Sequence, residues 1–174
     1  MQPLIRSRIR FVILLVLAVI AADQFSKIMV RKQIDHHEVL NYLGDHFSIM
    51  HVENTGAFLS LGDALHGFPK ILLLSVLPLV VLGFALYYTL SAKELTRMMI
   101  IGMSLVVGGG IGNIIDRVAF GSVTDFFYIS FSFFRTGIFN IADMAVTAGA
   151  IIIFFSSIRK KTTPELPPTP NPEP

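Results

Sequence analysis

Two aspartates stand where charge is costly. Asp125 lies in SVTDFF and Asp143 in FNIAD, the latter at the head of an apolar stretch that continues through IIIFF. An ionised carboxylate near hydrocarbon costs on the order of 2.5 to 3.5 kcal/mol at a helix centre on insertion scales, so something must offset it. The two are 18 residues apart, joined by an alternating stretch and a turn, and are easily brought together. At close range, mutual repulsion raises one pKa and leaves an acid and a base sharing a proton. Aspartic proteases use that arrangement to activate water and polarise a peptide carbonyl. Intramembrane carboxylates also serve transport, and spacing alone leaves both chemistries open.

Other polar residues gather at the same boundary. Asp23 and Lys27, in ADQFSK, are four apart and share a helical face. They read either as an interfacial ion pair or as a polar floor beneath a site. GGGIGNIIDR (108–117) puts Asn113, Asp116 and Arg117 within about one turn. Its Gly108 and Gly112 have the small-xxx-small spacing that lets helices approach closely, and no soluble strand precedes them as a dinucleotide loop requires. Asp116 and Arg117 are adjacent and do not face each other, so each pairs elsewhere. Asn140 precedes Asp143 by three residues on one face, within reach of its carboxylate.

Competing schemes lack their residues. His36, His37, His46, His51 and His66 all fall in one long loop without a His-Glu-x-x-His pair, which argues against a zinc hydrolase. Ser104 sits mid-span with no histidine in any span to activate it. There is no cysteine, hence no disulfide or thiolate metal site.

The elements that must position these groups are membrane spans. Of 174 residues, 53% are hydrophobic and 15% charged, the mean hydropathy is +0.66, and the charges fall between apolar runs. Residues 71–90 and 98–115 are uncharged and long enough to cross a bilayer as helices. Pro78 lies inside the first and predicts a kink rather than a break. Residues 11–22 reach spanning length only by continuing through DQFSKIMV, and 139–158 only by including Asn140 and Asp143. The fold class is an all-α integral membrane protein with spans at about 10–30, 71–90, 98–116 and 139–158. The first run resembles a signal peptide, but Ile20 spoils the small-residue pair ending at Ala22, so a permanent helix is expected.

Charge bias sets the orientation. Arg6, Arg8, Arg10, Lys93, Arg97, Arg159, Lys160 and Lys161 share one side in short segments, which places both termini in the cytoplasm. Of the twelve acidic residues, all but Glu94, Glu165 and Glu173 then lie outside, so the chemistry faces outward. The net charge of +2 reads as topology and anionic lipid contact, not nucleic acid. Residues 31–70 and 117–138 form an outer layer, in which FSIMHV (47–52) and FFYISFSFF (126–134) alternate like strands of a small twisted sheet and ENTGAF turns at Gly56. The membrane unit is 1–161. Residues 162–174, six prolines in thirteen residues, form a disordered or polyproline-like tail, inert or a ligand for a proline-binding partner.

DQFSK (23–27), NTGAF (54–58), GGGIGNIIDR, VTDFF (123–127) and FNIAD, in this order across four spans, resemble the signal peptidase II family. The resemblance covers the chain from first span to last, and its last three blocks together are specific. It implies an aspartic endopeptidase of the bacterial inner membrane that removes the signal peptide from a prolipoprotein, cutting before a diacylglyceryl-modified cysteine. By motif position it implies that Asp125 and Asp143 are the catalytic pair. Asn54, Asn113, Arg117 and Asn140 would line the substrate pocket, and Asp23, Lys27, Gly109 and Asp116 would support it. The turn carrying Asn54, Gly56 and Phe58 would cover the scissile bond and move. No metal or cofactor is implied; globomycin-type inhibitors, membrane lipid and action as a monomer are. Two rivals remain at this stage. An ion or proton transporter predicts polar groups along a path across the bilayer, whereas a noncatalytic scaffold predicts carboxylates that merely pair with Lys27, Arg117 and Arg135.

Overall fold

The computed structural model describes residues 2–56 and 67–160. Phe58, in the expected covering turn, and the proline-rich 162–174 lie outside the described residues. Among the described residues, four helices are long and apolar enough to span a membrane, as expected. They are α1 (Gln2–Gln33), α2 (Phe68–Ser91), α3 (Arg97–Phe120) and α4 (Ile141–Lys160).

Pro78 has no N–H for the carbonyl four residues earlier. Helix α2 absorbs this without breaking, through a π-helical turn at Leu72–Val76 just before it. Helix α3 is capped at both ends. The Thr96 side chain accepts from Met99 N at 3.1 Å to cap its start, and Gly121, at φ 75°, closes its end in the left-handed region.

Lipid tails are as apolar as leucine, so burial of apolar surface does little to hold spans together; close packing does. Helix α3 is central. A Cβ on Gly108 would lie 2.9 Å from Val19 Cβ of α1, and one on Gly109 would lie 2.4 Å from the Ala142 carbonyl oxygen of α4. Near the other end of the same contact, Gly102 and Gly149 lie against each other's carbonyls. Val12, Val16 and Val107 fill the space between α1 and α3, while Leu14, Phe84 and Phe154 remain outward for lipid.

The sheet has four antiparallel strands in the order β1 (Val39–Tyr42), β2 (Phe47–Asn54), β3 (Val123–Phe131), β4 (Phe134–Arg135). Strand β1 was not expected. It is held by a turn in which Leu43, Gly44 and Asp45 all take positive φ. The alternating stretch 126–134 is not one strand either; it turns at Ser132 and Phe133 into a hairpin. A bulge between Ile49 and Val52 sets Val52 opposite Asp125 and Glu53 opposite Thr124. Val30 of α1, Ile34 just past its end and Phe126 of β3 form the core joining sheet to bundle.

Candidate active site

The sheet delivers one aspartate and the last helix the other. Phe139 pairs with Phe127, donating to its carbonyl at 2.9 Å and accepting from its N–H at 2.8 Å, which holds the next residue, Asn140, against β3. Asn140 is also the cap of α4. Its side-chain oxygen accepts from Asp143 N at 2.9 Å, and its own N–H donates to Asp143 Oδ2 at 3.2 Å. This is a reciprocal capping box, and the positive end of the helix dipole faces the Asp143 carboxyl. Asp143 is therefore tolerated beside an apolar stretch because it completes a helix start.

The Asn140 amide then reaches across to the other aspartate. Its Nδ2 donates to Asp125 Oδ1 at 2.6 Å, while Asn54 Nδ2 donates to Asp125 Oδ2 at 2.9 Å. Asn113 Nδ2 donates to Asp143 Oδ1 at 2.8 Å. Asn54 Oδ1 accepts from Gly56 N at 3.0 Å, and Arg117 Nη2 donates to the Gly56 carbonyl at 3.0 Å, which fixes the turn beside the pair. Arg117 Nε is buried and finds no partner among the described residues.

Beneath lies the polar floor. Lys27 is wholly buried, and its ammonium spends its three donors on Asp23 Oδ2 at 2.8 Å, Asp116 Oδ2 at 3.0 Å and Asn113 Oδ1 at 3.0 Å. Asp23 Oδ1 accepts from Ala142 N at 3.0 Å, tying α1 to the start of α4. Asp116 Oδ1 pairs with Arg31 Nη2 at 3.0 Å. Gly109 and Gly112 lack the Cβ that would strike the Ala142 carbonyl or the Asp23 carboxyl. Of the twelve site residues that the resemblance implied, the eleven that are described thus fall in or against one cluster, and Phe58 lies outside the described residues.

Sequence reasoning missed several members. Arg31 continues the 23–27–31 spacing on one face of α1 and was discoverable; at a span end it reads as an interfacial anchor. Gln24 Nε2 lies within 3.2 Å of both Asp23 and Asp116. Glu53, Ser122 and Thr124 become neighbours only through the strand register, which no local pattern discloses.

The charges constrain the pair. Among the described residues, Lys27 and Arg31 form ion pairs with Asp23 and Asp116, and the Arg117 charge acts on Asp125 and Asp143 without an ion pair to either. Burial, reinforced by the Asp143 charge, pushes the Asp125 carboxyl up to about 6 against the partly offsetting Asn54 and Asn140 donors. A raised carboxyl pKa means that the folded state binds the proton more tightly than the unfolded chain. Asp125 thus favours folding below about 4, and its contribution falls as pH rises toward 6. The expected loss is on the order of 2 kcal/mol. Thermal midpoints in detergent between pH 4.5 and 6.5 should fall for the wild type relative to Asp125→Asn, which cannot titrate; parallel curves would refute it.

Two polar groups deeper in the spans are satisfied within their own helices. Ser104 Oγ donates to the Ile100 carbonyl and Thr89 Oγ1 to the Ala85 carbonyl, each at 2.7 Å within its own helix. They form no continuation of the cluster across the bilayer, as a transport path requires.

Fold and cluster together define a multi-pass membrane protein with an amide-bridged pair of carboxyls at one end of its helices. Residues 15–159 match the family model of signal peptidase II, and the chain belongs to that family, an aspartic peptidase family. It is 34% identical over 150 residues to the lipoprotein signal peptidase of Streptococcus pneumoniae, covering 86% of this chain and 94% of that one. Against the same enzyme of Borrelia hermsii it is 34% identical over 168 residues, 92% and 98% of the two chains. Two solved structures described as bacterial membrane enzymes share the fold. One has a TM-score of 0.78 at 26% identity, covering 88% of this chain and 91% of its own; the other has 0.75 at 27%, covering 87% and 94%.

Proposed function

We propose that this chain removes the signal peptide from diacylglyceryl-modified prolipoproteins, cutting before the lipidated cysteine, with Asp125 and Asp143 as the reacting pair. The observation that carries the assignment is Asn140, whose side chain and backbone contact both carboxyls at once. Asp125, the carboxyl raised by burial, holds the proton and donates it toward the scissile carbonyl oxygen. Asp143 accepts a proton from water as that water adds to the carbonyl carbon. The tetrahedral intermediate then collapses as the proton on Asp143 passes to the leaving amine, and Asp125 recovers its proton from the collapsing hydroxyl. Arg117 has a buried Nε–H, unpartnered among the described residues, with which to hold a substrate carbonyl. Asn54 and Asn113 orient the carboxyls, and Asp23, Lys27, Gly109 and Asp116 keep the helices that carry them in place.

In this reading the membrane unit is 1–161, it sits as a monomer in the bacterial inner membrane, and the short basic segments lie in the cytoplasm with the pair outside. The signal helix enters between spans from the lipid, and the turn through Asn54 and Gly56 covers the bond. Globomycin-type inhibitors would occupy the same site. The test is mass spectrometry of a synthetic prolipoprotein incubated with the purified chain. Release of the signal peptide immediately before a diacylglyceryl cysteine, and not before a free cysteine, supports the reading. No release from either overturns it.

A further inference from the structure

A second polar cluster lies behind Asp125. Neighbouring residues of a strand face opposite sides, so Thr124 and Glu53 look away from Asp125 and Asn54. They are register partners on β3 and β2. Thr124 is wholly buried, and its hydroxyl accepts from Arg31 Nε at 2.7 Å while donating to Glu53 Oε1 at 2.8 Å. The direction is fixed, because a guanidinium has no acceptor and a carboxylate no donor. Burial alone would raise the Glu53 carboxyl, but donors from Ser122, His51 and Thr124, with the Arg31 charge, hold it below its ordinary value. The Thr124 backbone is held too. Its N–H donates to Asp116 Oδ2 at 3.2 Å, and its carbonyl lies 3.5 Å from Asn140 Nδ2, the donor to Asp125 Oδ1. Arg31 is itself fixed by Asp116 and by the Phe120 ring, 4.0 Å from its guanidinium carbon.

We propose that Thr124 is a positioning residue for Asp125, acting through a hydroxyl relay from Arg31 to Glu53 that moors the β2–β3 pair on α1. The proposal rests on the assignment of Asp125 to the reacting pair. One peptide unit separates the mooring from the carboxyl, so slack in the relay becomes slack in the distance from Asp125 to Asn140. A misplacement of about 1 Å is enough to cost about a hundredfold in rate.

Valine matches threonine in shape but lacks the hydroxyl, whereas serine keeps it. Cleavage kinetics of the lipidated substrate should therefore show Thr124→Val with kcat lowered about 10- to 100-fold and KM little changed. The alkaline limb of its rate profile should move to lower pH, because a loosened strand admits water to Asp125. Thr124→Ser should restore both. Wild-type kcat and pH profile in Thr124→Val would overturn the relay, as would Thr124→Ser impaired equally. Should Thr124→Val not fold, Arg31→Lys removes the Nε donor while keeping a cation by Asp116; the same loss of kcat with the same limb shift is expected, and unchanged kinetics would overturn the relay. Asp125→Asn serves as the control: if it cuts normally, the pair is misassigned, an outcome distinct from failure of the relay.

Discussion

Asp125→Asn and Asp143→Asn, each purified folded in detergent, are expected to cut a diacylglyceryl prolipoprotein at least about 10³-fold more slowly than wild type. Either change removes one half of an acid–base exchange, and the other carboxylates of the network, Asp23, Asp116 and Glu53, are engaged by Lys27, Arg31 and Thr124. Ser122, Thr124 and the asparagines do not titrate, and Arg117 stays charged. The double variant should be no slower than the worse single one, because groups that act as a unit do not contribute additively. Stability should respond differently. Asp125 is a buried carboxyl whose ionisation is disfavoured in the fold, so a neutral amide there removes a cost while losing some hydrogen-bond geometry. A scaffold in which the carboxyls only pair with cations predicts the reverse order, with unfolding first and little kinetic effect in whatever remains folded. The decisive comparison is kcat against thermal midpoint in the same preparations. Folded variants that still cut would remove the pair from the mechanism.

The parts legible in the sequence are those whose cost shows locally. Asp143 at the head of an apolar run, Lys27 in a span and Asn113 beside Asp116 are expensive in hydrocarbon wherever the chain goes, and a reader needs no partner to see it. The spans were legible for the same reason. Asn140 was seen as a neighbour of Asp143, but its larger part, capping α4 while reaching Asp125, depends on Phe139 pairing with Phe127 across a turn. Glu53 and Thr124 are ordinary at the surface of a sheet; only the bulge between Ile49 and Val52 puts them opposite each other and over Arg31. Strand β1 escaped notice because four residues ending in a turn of positive φ at Leu43 and Asp45 have too little period to read. Local expense is visible in a sequence, whereas register is not.

Lys27→Met should be the most damaging single change to stability. Its ammonium is wholly buried and holds two buried carboxylates and the Asn113 carbonyl. Methionine fills much of the volume but leaves Asp116 with Arg31 and Asp23 with no ion partner among the described residues. Removing one partner of a buried ion pair costs about 3 to 5 kcal/mol. That is a large share of the roughly 5 to 15 kcal/mol that holds a domain together. The thermal midpoint should fall by roughly 10 °C or more. Adding Asp23→Asn removes the carboxylate that Lys27 had paired, while Asp116 keeps Arg31, so the double variant should regain about half of the lost midpoint. It should not regain activity. Asn113 turns its Nδ2 toward Asp143 because Lys27 and Asn140 both donate to its Oδ1. With Lys27 gone, half of that orientation is lost. A double variant that is stable yet slow would separate the two duties of Lys27, neutralising the floor and aiming the amide at Asp143. One that recovers both would reduce Lys27 to a counterion.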